Sequence, residues 1–560
     1  MKAVLKENKI LVFDSYNYKE VLKSAGARWK AKDKAWELEE NNENVELLQA
    51  LKTNIQEQII ENYNKRLEIF KSAEDAKFEK ILLKQRMPVK VTPFEHQKRG
   101  YDIACKLMDL YNKENLERIR SGAALLMEMG TGKTLTAIGI AGRAYKNKKI
   151  KKLLVIAPSS VVPVWPKELE DFADFEFTVV ALQGTMQKRV QALHSLDKAK
   201  GLKVAVINYE SAWRIIDEFQ DWNPDMIILD ESQRIKNPQA VQSKAIHKLG
   251  KQAYYKLILS GTPIQNSPLD FFSQYKFLNS TIFGENFYLF KNRYARFGGF
   301  QGHQVIAYNN LSELTKKAHS IAFRITKDEA LDLPEQIYQN RYIELEPETR
   351  RMYDQIKKEN FFALENGGEI TTSIVLTRLL RLSQITGGFV KTDTNKEEFI
   401  SKAKLNELEE IIEDVVITNN KKVVIFARFI NEIAAIRKII ESKKIDYRWI
   451  AGEIKQEDRG QAVKEFQENE DIKIFIAQIQ TAGLGITLTA ADTAVFYSLD
   501  YNYANYQQAT ARTHRIGQKN KCTYIHLLCK KTVDEEIMKA LDKKQDIAKL
   551  LVDNWREIFK

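Results

Sequence analysis

Short apolar runs separated by amphipathic segments dominate the chain from about residue 91 onward. Five of them are AALLMEM (123–129), KLLVIAP (152–158), KVAVIN (203–208), MIILD (226–230) and KLILSGT (256–262). Apolar runs of this length that alternate with helices are typical of a parallel sheet buried on both faces. The pattern therefore predicts an α/β unit over residues 91–270.

A second series of apolar runs begins after residue 400. Its members are KKVVIFA (421–427), YRWI (447–450), IKIFIA (472–477), TAVFYS (493–498) and CTYIHLL (522–528). They predict a second α/β unit of similar size over 401–540, followed by a C-terminal helix over 541–560. The stretch 271–400 is rich in aromatic and basic residues and mostly has helical spacing, which predicts helical insertions between the two units. QNRYIELE (339–346) is the exception and has a strand pattern.

The first 90 residues have a different pattern. The strand-like ILVFD, a short helical stretch and GARWKAKDKAWELE indicate a small α+β module over residues 1–50. Apolar residues at helical spacing, from Ile55 to Phe70, then indicate a charged helical connector over 51–90. Since a single core rarely serves more than about 250–300 residues, a chain of 560 residues is expected to form several such units.

Composition narrows the class of protein. Hydrophobic residues make up 44% and charged residues 29%, a balance that is ordinary for a globular protein, and the formal net charge is +12. Excess positive charge favours a polyanionic partner, with nucleic acid the leading candidate. No apolar run approaches the ~18 residues of a membrane span, so we expect no membrane partner. Three cysteines are too few for a disulfide framework, which favours a reducing intracellular setting. The compact length favours a bacterial or viral host cytoplasm, and we expect a monomer.

A glycine-rich turn follows the first apolar run. The segment Gly130-Thr131-Gly132-Lys133-Thr134 stands between that strand and the helical LTAIGIAGRAY. Glycines let backbone N–H groups surround phosphates, Lys133 supplies an ammonium for the β and γ phosphates, and the Thr134 hydroxyl helps hold Mg²⁺. Met127 occupies the first glycine position of the longer phosphate-loop pattern, so this is the shorter, helicase-type variant. The turn predicts a site for ATP.

Two carboxylates follow the apolar run MIILD. Asp230 and Glu231 stand where this buried strand ends, at the edge where α/β sheets place their ligands. We expect Asp230 to hold Mg²⁺, through water, and Glu231 to act as general base on the attacking water. An Asp-Glu pair alone is more often solvated surface charge. Here the pair follows a buried strand and comes after the glycine-rich turn of residues 130–134, hereafter the phosphate turn, which favours the catalytic interpretation.

Two arginines lie far downstream in QQATARTHRIGQ (507–518). Arg512 and Arg515 are three residues apart, which puts them on one face of a helix. Guanidinium groups that reach the γ-phosphate from a second lobe would offset charge in the transition state. In isolation these arginines would be an ordinary basic helix face, and only the other two motifs change that interpretation.

Taken in order, the motifs of residues 91–540 resemble those of the Swi/Snf family of DNA translocases, within the superfamily-two helicase-like ATPases. The matching segments are PFEHQKRGYDIA (93–104), MEMGTGKT (127–134), LLVIAPSSVVPVWPKEL (153–169), INYE (207–210), DESQRIKN (230–237), SGTPIQNSPLDFFS (260–273), FRITKD with LP (323–334), LTRLLRLSQITGG (376–388), KVVIFARF (422–429), QTAGLGITLTAADTAVFYSLDYN (480–502) and THRIGQ (513–518). The last is the most diagnostic. The resemblance implies two tandem RecA-like lobes, ATP and Mg²⁺ as cofactors, and DNA as the partner.

The resemblance also implies roles for further residues. Gln97 would read the adenine edge, while Ser260 and Thr262 would link the nucleotide state to lobe movement. As a hypothesis, DNA phosphates would contact loops and basic residues on the side of the cleft opposite ATP, namely Ser159, Gly485, Arg378 and Arg381.

Three motifs depart from the family pattern. Ser232 and Gln233 replace the last two residues of the usual DEAH or DEGH, although Gln233 still donates and accepts hydrogen bonds and can retain the coupling role. Ala511 replaces an aspartate, and TGGF follows Ile385 where the family has Cys-Asn-His-Pro. No group directly required for hydrolysis is lost.

Residues 15–51 resemble the HARP module of annealing helicases. The resemblance rests on Trp29, on Trp36 and on the spacing between a helical stretch that contains tyrosine and the tryptophan that follows it. It implies recognition of branched or forked DNA, through cations that we take to be Arg28, Lys30, Lys32 and Lys34. The two tryptophans are expected to belong to the core of the module.

The sequence favours an ATP-dependent translocase on double-stranded or branched DNA that remodels forks or anneals strands. A strand-separating DNA or RNA helicase is one alternative, although no wedge for splitting a duplex is identifiable. A catalytically idle DNA-binding scaffold is the other, and the retained catalytic residues argue against it. Protein partners, polarity and pathway are not specified by the sequence.

Overall fold

A computed structural model describes residues 1–6, 9–40, 42–78, 83–112, 121–298, 304–365, 372–391, 397–454, 456–484 and 486–548. Within these ranges the chain forms a small N-terminal module and two α/β lobes, each with its own sheet. A search of the same ranges for a helix with the length and apolar character of a membrane span finds none.

The N-terminal module is a five-stranded sheet in the order β3-β4-β2-β1-β5. Its strands are β1 (Lys2–Lys6), β2 (Lys9–Phe13), β3 (Arg28–Lys30), β4 (Ala35–Glu39) and β5 (Asn54–Ile55). Its helices are α1 (Lys19–Ser24), α2 (Asn42–Ala50) and the long α3 (Glu57–Phe78). A separate apolar core, which includes Ile10, Val12 and Leu38, lies between the sheet and the helices.

The first lobe is built on a seven-stranded, entirely parallel sheet in the order β14-β6-β11-β10-β7-β9-β8. The strands of this part of the chain are β6 (Ser121–Met127), β7 (Lys152–Ala157), β8 (Phe177–Ala181), β9 (Leu202–Asn208), β10 (Met226–Asp230), β11 (Tyr255–Leu259), the hairpin β12 (Ala295–Gly298) and β13 (Gln304–Tyr308), and β14 (Ala322–Ile325). Every residue of the central β10 is buried, as the continuous apolar run predicts.

Helices cover both faces of this sheet. They are α4 (Glu95–Leu107), α5 (Lys133–Lys146), α6 (Val164–Phe172), α7 (Met186–Ser195), α8 (Tyr209–Ala212), α9 (Ile216–Trp222), α10 (Val241–Gly250), α11 (Phe271–Leu278), α12 (Phe287–Tyr294), α13 (Leu311–Ser320) and α14 (Lys327–Ala330). One continuous apolar core unites them with the sheet.

The second lobe has a six-stranded parallel sheet in the order β15-β22-β21-β18-β20-β19. The strands are β15 (Gln336–Ile343), the hairpin β16 (Phe389–Lys391) and β17 (Glu397–Phe399), β18 (Val423–Ala427), β19 (Tyr447–Ile450), β20 (Ile474–Gln478), β21 (Thr493–Phe496) and β22 (Cys522–Cys529). The helices are α15 (Pro347–Glu365), α16 (Thr372–Thr386), α17 (Ala403–Ile412), α18 (Ile430–Ser442), α19 (Gln456–Glu468), α20 (Tyr503–Thr513) and α21 (Val533–Ala548). Apolar clusters lie on both faces of the sheet.

The interval 271–400 contains more than the helical insertions expected from its sequence. Strand β14 pairs in parallel with β6 of the first sheet, and β15 pairs over its whole length with β22 of the second. Both are edge strands; β14 has only four residues, and most of β15 is exposed. Neither therefore shows the long apolar run that marks a central strand. The chain passes from one sheet to the other between Ile325 and Gln336.

The connector helix α3 is anchored in the first lobe. Ala73 and Ala76, near its C-terminal end, belong to the apolar core of that lobe. Arg99 of α4 donates through Nη1 to the carbonyl oxygens of Ala76 and Lys77, both at 3.0 Å, and Lys77 itself donates to the carbonyl of His319. Because carbonyls at a helix end lack partners within the helix, these bonds fix the end of α3 to the lobe.

Candidate functional site

The turn between β6 and α5 depends on two glycines. Gly130 has φ of +85° and Gly132 has φ of +89°, a region that residues with a Cβ atom rarely adopt. A Cβ on Gly132 would also lie 2.1 Å from Nε2 of Gln97, so any side chain there would displace the Gln97 amide. The backbone of the turn is therefore exposed at the N-terminus of α5, where N–H groups and the helix dipole favour an anion.

Lys133 is the first residue of α5. Its ammonium donates to the carbonyl oxygens of Met127, at 3.0 Å, and Glu128, at 3.4 Å. Burial lowers the pKa of Lys133, while the nearby carboxylates of Glu231 and Asp230 oppose that shift. The ammonium thus lies within the turn itself, where it can meet the charge of a polyphosphate.

Two threonines flank the lysine. Thr131 is buried, and its hydroxyl donates to the Glu128 carbonyl at 2.7 Å, which tightens the turn. Thr134 lies half-buried in the first turn of α5.

Gln97 contacts the phosphate turn from α4. Its Oε1 accepts from the backbone N–H of Phe94 at 3.0 Å, and its Nε2 donates to the Thr131 carbonyl at 3.2 Å. His96 bonds to the same carbonyl through Nε2 at 2.8 Å and stacks on Phe94, with ring centroids 5.7 Å apart. His96 was missed by the sequence reasoning, although its position beside Gln97 was a signal. The adenine-reading role of Gln97 stays a prediction.

Asp230 and Glu231 stand at the carboxyl end of β10. Burial and the neighbouring Glu231 raise the pKa of Asp230, against the opposing effects of Lys133 and a hydrogen bond from Trp165. That bond joins Trp165 Nε1 to Asp230 Oδ2 at 3.0 Å, and Tyr209 donates to the Asp230 carbonyl at 2.8 Å. Neither Trp165 nor Tyr209 was predicted from the sequence, because their separation from Asp230 along the chain gives no local pattern.

Glu231 has a left-handed backbone, with φ of 52° and ψ of 56°. A non-glycine residue in this region stores strain that the surrounding structure must hold, and such residues cluster at functional sites. The conformation turns the chain sharply away from β10 immediately after Asp230.

Gln233 links Glu231 to the segment after β11. Its Nε2 donates to Glu231 Oε2 at 2.6 Å, and its Oε1 accepts from the Ser260 hydroxyl at 2.8 Å. Ser260 Oγ in turn accepts from the backbone N–H of Thr262 at 3.1 Å. An amide donates and accepts at the same time, so Gln233 makes both bonds of this bridge.

The second lobe contributes Arg512 and Arg515 to the same region. A Cβ placed on Gly130 would lie 3.7 Å from Cβ of Arg515, so the two lobes meet at the phosphate turn. Arg512 is buried; desolvation, with a contribution from Arg515, lowers its pKa to about 10, while Glu231 opposes the shift. The structure therefore brings the two arginines to the residues of the first lobe that the sequence predicted.

The loop after α20 is held by Gln518. Its amide nitrogen donates to the carbonyls of Thr489, Ala491 and Thr513, at 3.0–3.3 Å. Gly517, with φ of +101°, allows the turn that brings the glutamine back. These contacts fix the backbone on both sides of Arg515, so the last residues of THRIGQ position the arginine.

The four residues predicted to contact DNA have different outcomes. Ser159, in the loop after β7, and Arg381, on α16, are exposed. Gly485 lies outside the described residues, and Arg378 is on α16 but its side chain is not described. Among the described residues, no cluster of three or more His, Cys, Asp and Glu side chains is arranged to hold a metal ion.

Comparisons with known proteins identify the family of the chain. The model of the SNF2-related domain matches residues 35–387, and that of the helicase conserved C-terminal domain matches residues 403–517. An uncharacterized ATP-dependent helicase of Mycoplasma genitalium is 28% identical over 78% of this chain and 42% of its own length. The DNA annealing helicase and endonuclease ZRANB3 of Mus musculus is 27% identical over 77% of this chain and 39% of its own.

The chain thus spans about two-fifths of the length of these curated relatives. Among solved structures, the Sulfolobus solfataricus SWI2/SNF2 ATPase core in complex with dsDNA aligns with 85% of this chain and 95% of that one, at 27% identity and a TM-score of 0.39. Since the SNF2-related model matches more than half of the sequence, the chain belongs to the SNF2-related family.

Proposed function

We propose that this chain is a DNA-dependent ATPase that moves along double-stranded DNA, with ATP held between its two lobes. The observation that carries the proposal is the approach of Arg515 to the Gly130 turn, because a pocket shared by two lobes couples its occupant to their relative position. Related proteins named as ATP-dependent helicases support the same conclusion.

The residues of the pocket suit the hydrolysis of ATP. Lys133 and the backbone of the turn bind the β and γ phosphates, and Glu231 orients and deprotonates the attacking water. Arg512 and Arg515 offset the negative charge that develops on the γ-phosphate. Each of these tasks depends on a charge that is partly removed from water, because electrostatic interactions are stronger at low dielectric constant. Burial in the cleft provides that environment.

Mg²⁺ fits the donors that this pocket offers. Asp230 and Thr134 provide a carboxylate and a hydroxyl, the hard oxygen ligands that Mg²⁺ prefers alongside water and phosphate. The ion would neutralise phosphate charge, while Trp165 holds the Asp230 carboxylate in place.

The net positive charge of the chain and two exposed residues support DNA as the polymer along which it moves. The net charge of +12 favours a polyanion, and exposed Ser159 and Arg381 are available for phosphate contacts. Phosphate contacts position a protein without reading sequence, as a motor that steps along any DNA requires.

The test is a comparison of ATP hydrolysis with forked DNA, linear duplex, single-stranded DNA and RNA. We expect duplex and forked DNA to stimulate the rate most, and high salt to weaken the binding steeply. Stimulation by single strands or RNA together with unwinding of a plain duplex would favour a strand-separating helicase. Absence of phosphate release with every nucleic acid would favour a DNA-binding scaffold.

We further propose that the N-terminal module recognises branched DNA. Trp36 is half-buried, but Trp29 is 53% exposed on β3 and contacts Trp36 edge-on, with centroids 5.5 Å apart. The prediction that Trp29 belongs to the core of the module is therefore wrong, because β3 is an edge strand whose residues are all exposed. Around it are four exposed cations, Arg28, Lys30, Lys32 and Lys34. An exposed indole beside cations suits an unpaired base at a junction.

Trp29→Ala should reduce the preference for forked over linear DNA. Stacking of a base on an aromatic ring contributes about 1–3 kcal/mol, so the affinity for a fork should fall by at least about fivefold. Fluorescence anisotropy with both DNAs measures the ratio. Tyr288→Ala, which removes another exposed aromatic ring, is the matched control. An unchanged ratio in Trp29→Ala would contradict recognition through this surface.

A further inference from the structure

The segment that passes from β14 to β15 contacts both halves of the proposed ATP site. Lys327 donates its backbone N–H to Glu128 Oε2 at 2.7 Å, and Glu128 belongs to the phosphate turn of the first lobe. The ammonium of Lys327 donates to the carbonyl oxygen of His514, in the second lobe, at 3.1 Å. His514 Nε2 bonds to the carbonyl of Pro334 at 2.8 Å, so the segment holds this residue at two points.

The Lys327 side chain is buried, and its position has an electrostatic cost. Desolvation lowers its pKa to about 8, with further lowering by Arg512, Lys133 and Arg515, against the favourable effect of Glu128. A buried cation close to three others is unfavourable unless an anion compensates it. Glu128 is that anion in this structure, and its carboxylate also accepts the backbone N–H of Lys327.

Local structure does not require this ammonium. Helix α14 begins with a capping box, in which Thr326 and Glu329 satisfy each other's backbone N–H groups. Strand β14 is held by four residue pairs with β6, and neither feature uses the Lys327 side chain. The ammonium serves a contact between the lobes.

We propose that Lys327 is a positioning residue, which holds the His514–Arg515 backbone against the phosphate turn and so couples nucleotide binding to lobe closure. This inference rests on the proposed function, and it adds a fourth cation to Lys133, Arg512 and Arg515. Lys327 acts through Arg515: when the lobes close on nucleotide, the bond to the His514 carbonyl fixes the backbone of the next residue, Arg515, whose Cβ lies beside the Gly130 turn.

The experiment compares Lys327→Met, which keeps the apolar stem, with Lys327→Arg, which keeps the charge. Lobe closure is followed by energy transfer between dyes on Glu176→Cys and Glu468→Cys, since both glutamates are exposed and Cys105, Cys522 and Cys529 are buried. In the unsubstituted chain, a non-hydrolysable ATP analogue should raise the transfer.

For Lys327→Met we expect kcat to fall about 10- to 100-fold, the effect of losing a hydrogen bond from a charged group, with the affinity for the ATP analogue changed less than about threefold. The rise in energy transfer should be largely lost, and Lys327→Arg should restore most of both. Lys248→Met, at an exposed lysine of α10, is the matched control.

Full closure and a normal kcat in Lys327→Met would overturn the inference. If both variants unfold at the normal temperature, it would also be overturned by a Lys327→Arg variant that restores neither kcat nor the rise in energy transfer. If the unsubstituted chain neither closes on nucleotide nor hydrolyses ATP, the proposed function itself fails, which is a distinguishable result.

Discussion

Replacing Glu231 with glutamine should lower DNA-stimulated ATP hydrolysis by about 10²–10⁴-fold, the usual contribution of a general base. Glutamine keeps the shape of the side chain and its place beside Gln233, but it cannot take a proton from water. Because the proposed phosphate contacts of Lys133 and the glycine turn remain, the affinities for nucleotide and for DNA should change little. Steady-state phosphate release with saturating duplex DNA measures the effect.

The control for this substitution is Glu176→Gln, an exposed glutamate in the same lobe. It should hydrolyse ATP at the normal rate. Normal turnover in Glu231→Gln would show that the base lies elsewhere, and weak nucleotide binding in that variant would indicate a structural role for the carboxylate instead.

Replacing Arg515 with alanine should reduce hydrolysis by about 10³–10⁵-fold, the range measured for arginine fingers elsewhere. Its Cβ lies beside the Gly130 turn, so its guanidinium can meet the γ-phosphate from the opposite lobe. Arg515→Lys should recover only part of the rate, because an ammonium lacks the planar fork that binds phosphate oxygens in pairs. Single-turnover hydrolysis, measured beside the affinity for nucleotide, separates chemistry from binding.

Arg341→Ala is the matched control in the second lobe, since the Arg341 side chain is 53% exposed and forms an ion pair only with the half-buried Glu407, at 3.8 Å, among the ion pairs of the described residues. It should retain normal hydrolysis. Equal rates for Arg515→Ala and Arg341→Ala would contradict a pocket completed by the second lobe.

The α/β class was predictable because central parallel strands are buried on both faces. Such strands therefore stand in the sequence as continuous apolar runs. All ten predicted runs contain strands of the two sheets, and the α/β prediction is confirmed. The edge strands β8, β14 and β15 were not predicted as parts of the two sheets, because β8 is only half-buried, β14 has four residues and most of β15 is exposed. The edge strand β19 was predicted from YRWI, so an edge position alone does not prevent the prediction of a strand. The resemblance to the Swi/Snf family is confirmed at the level of the SNF2-related domain.

The residues of the site were predictable where a motif is local, as at Gly130 to Thr134, Asp230 and Glu231. Contacts that depend on tertiary structure were not. Trp165 reaches Asp230 across 65 positions of sequence, and the ammonium of Lys327 reaches His514 across 187. The catalytic and DNA-binding roles assigned from the sequence stay predictions until the substitutions above are measured.

The passage of the chain between the two sheets also acts as a tether. Even fully extended, the link from Ile325 to Gln336 can span only about 36–40 Å at ~3.3–3.6 Å per residue. In the proposed cycle, a lobe released after turnover therefore stays at a high effective concentration near its partner, on the order of millimolar for a short linker. Re-closure is then a first-order event that does not depend on dilution of the protein. A wider separation would have to peel off β14, whose four pairs are fewer than the eight of β15, so this short strand sets the limit of opening.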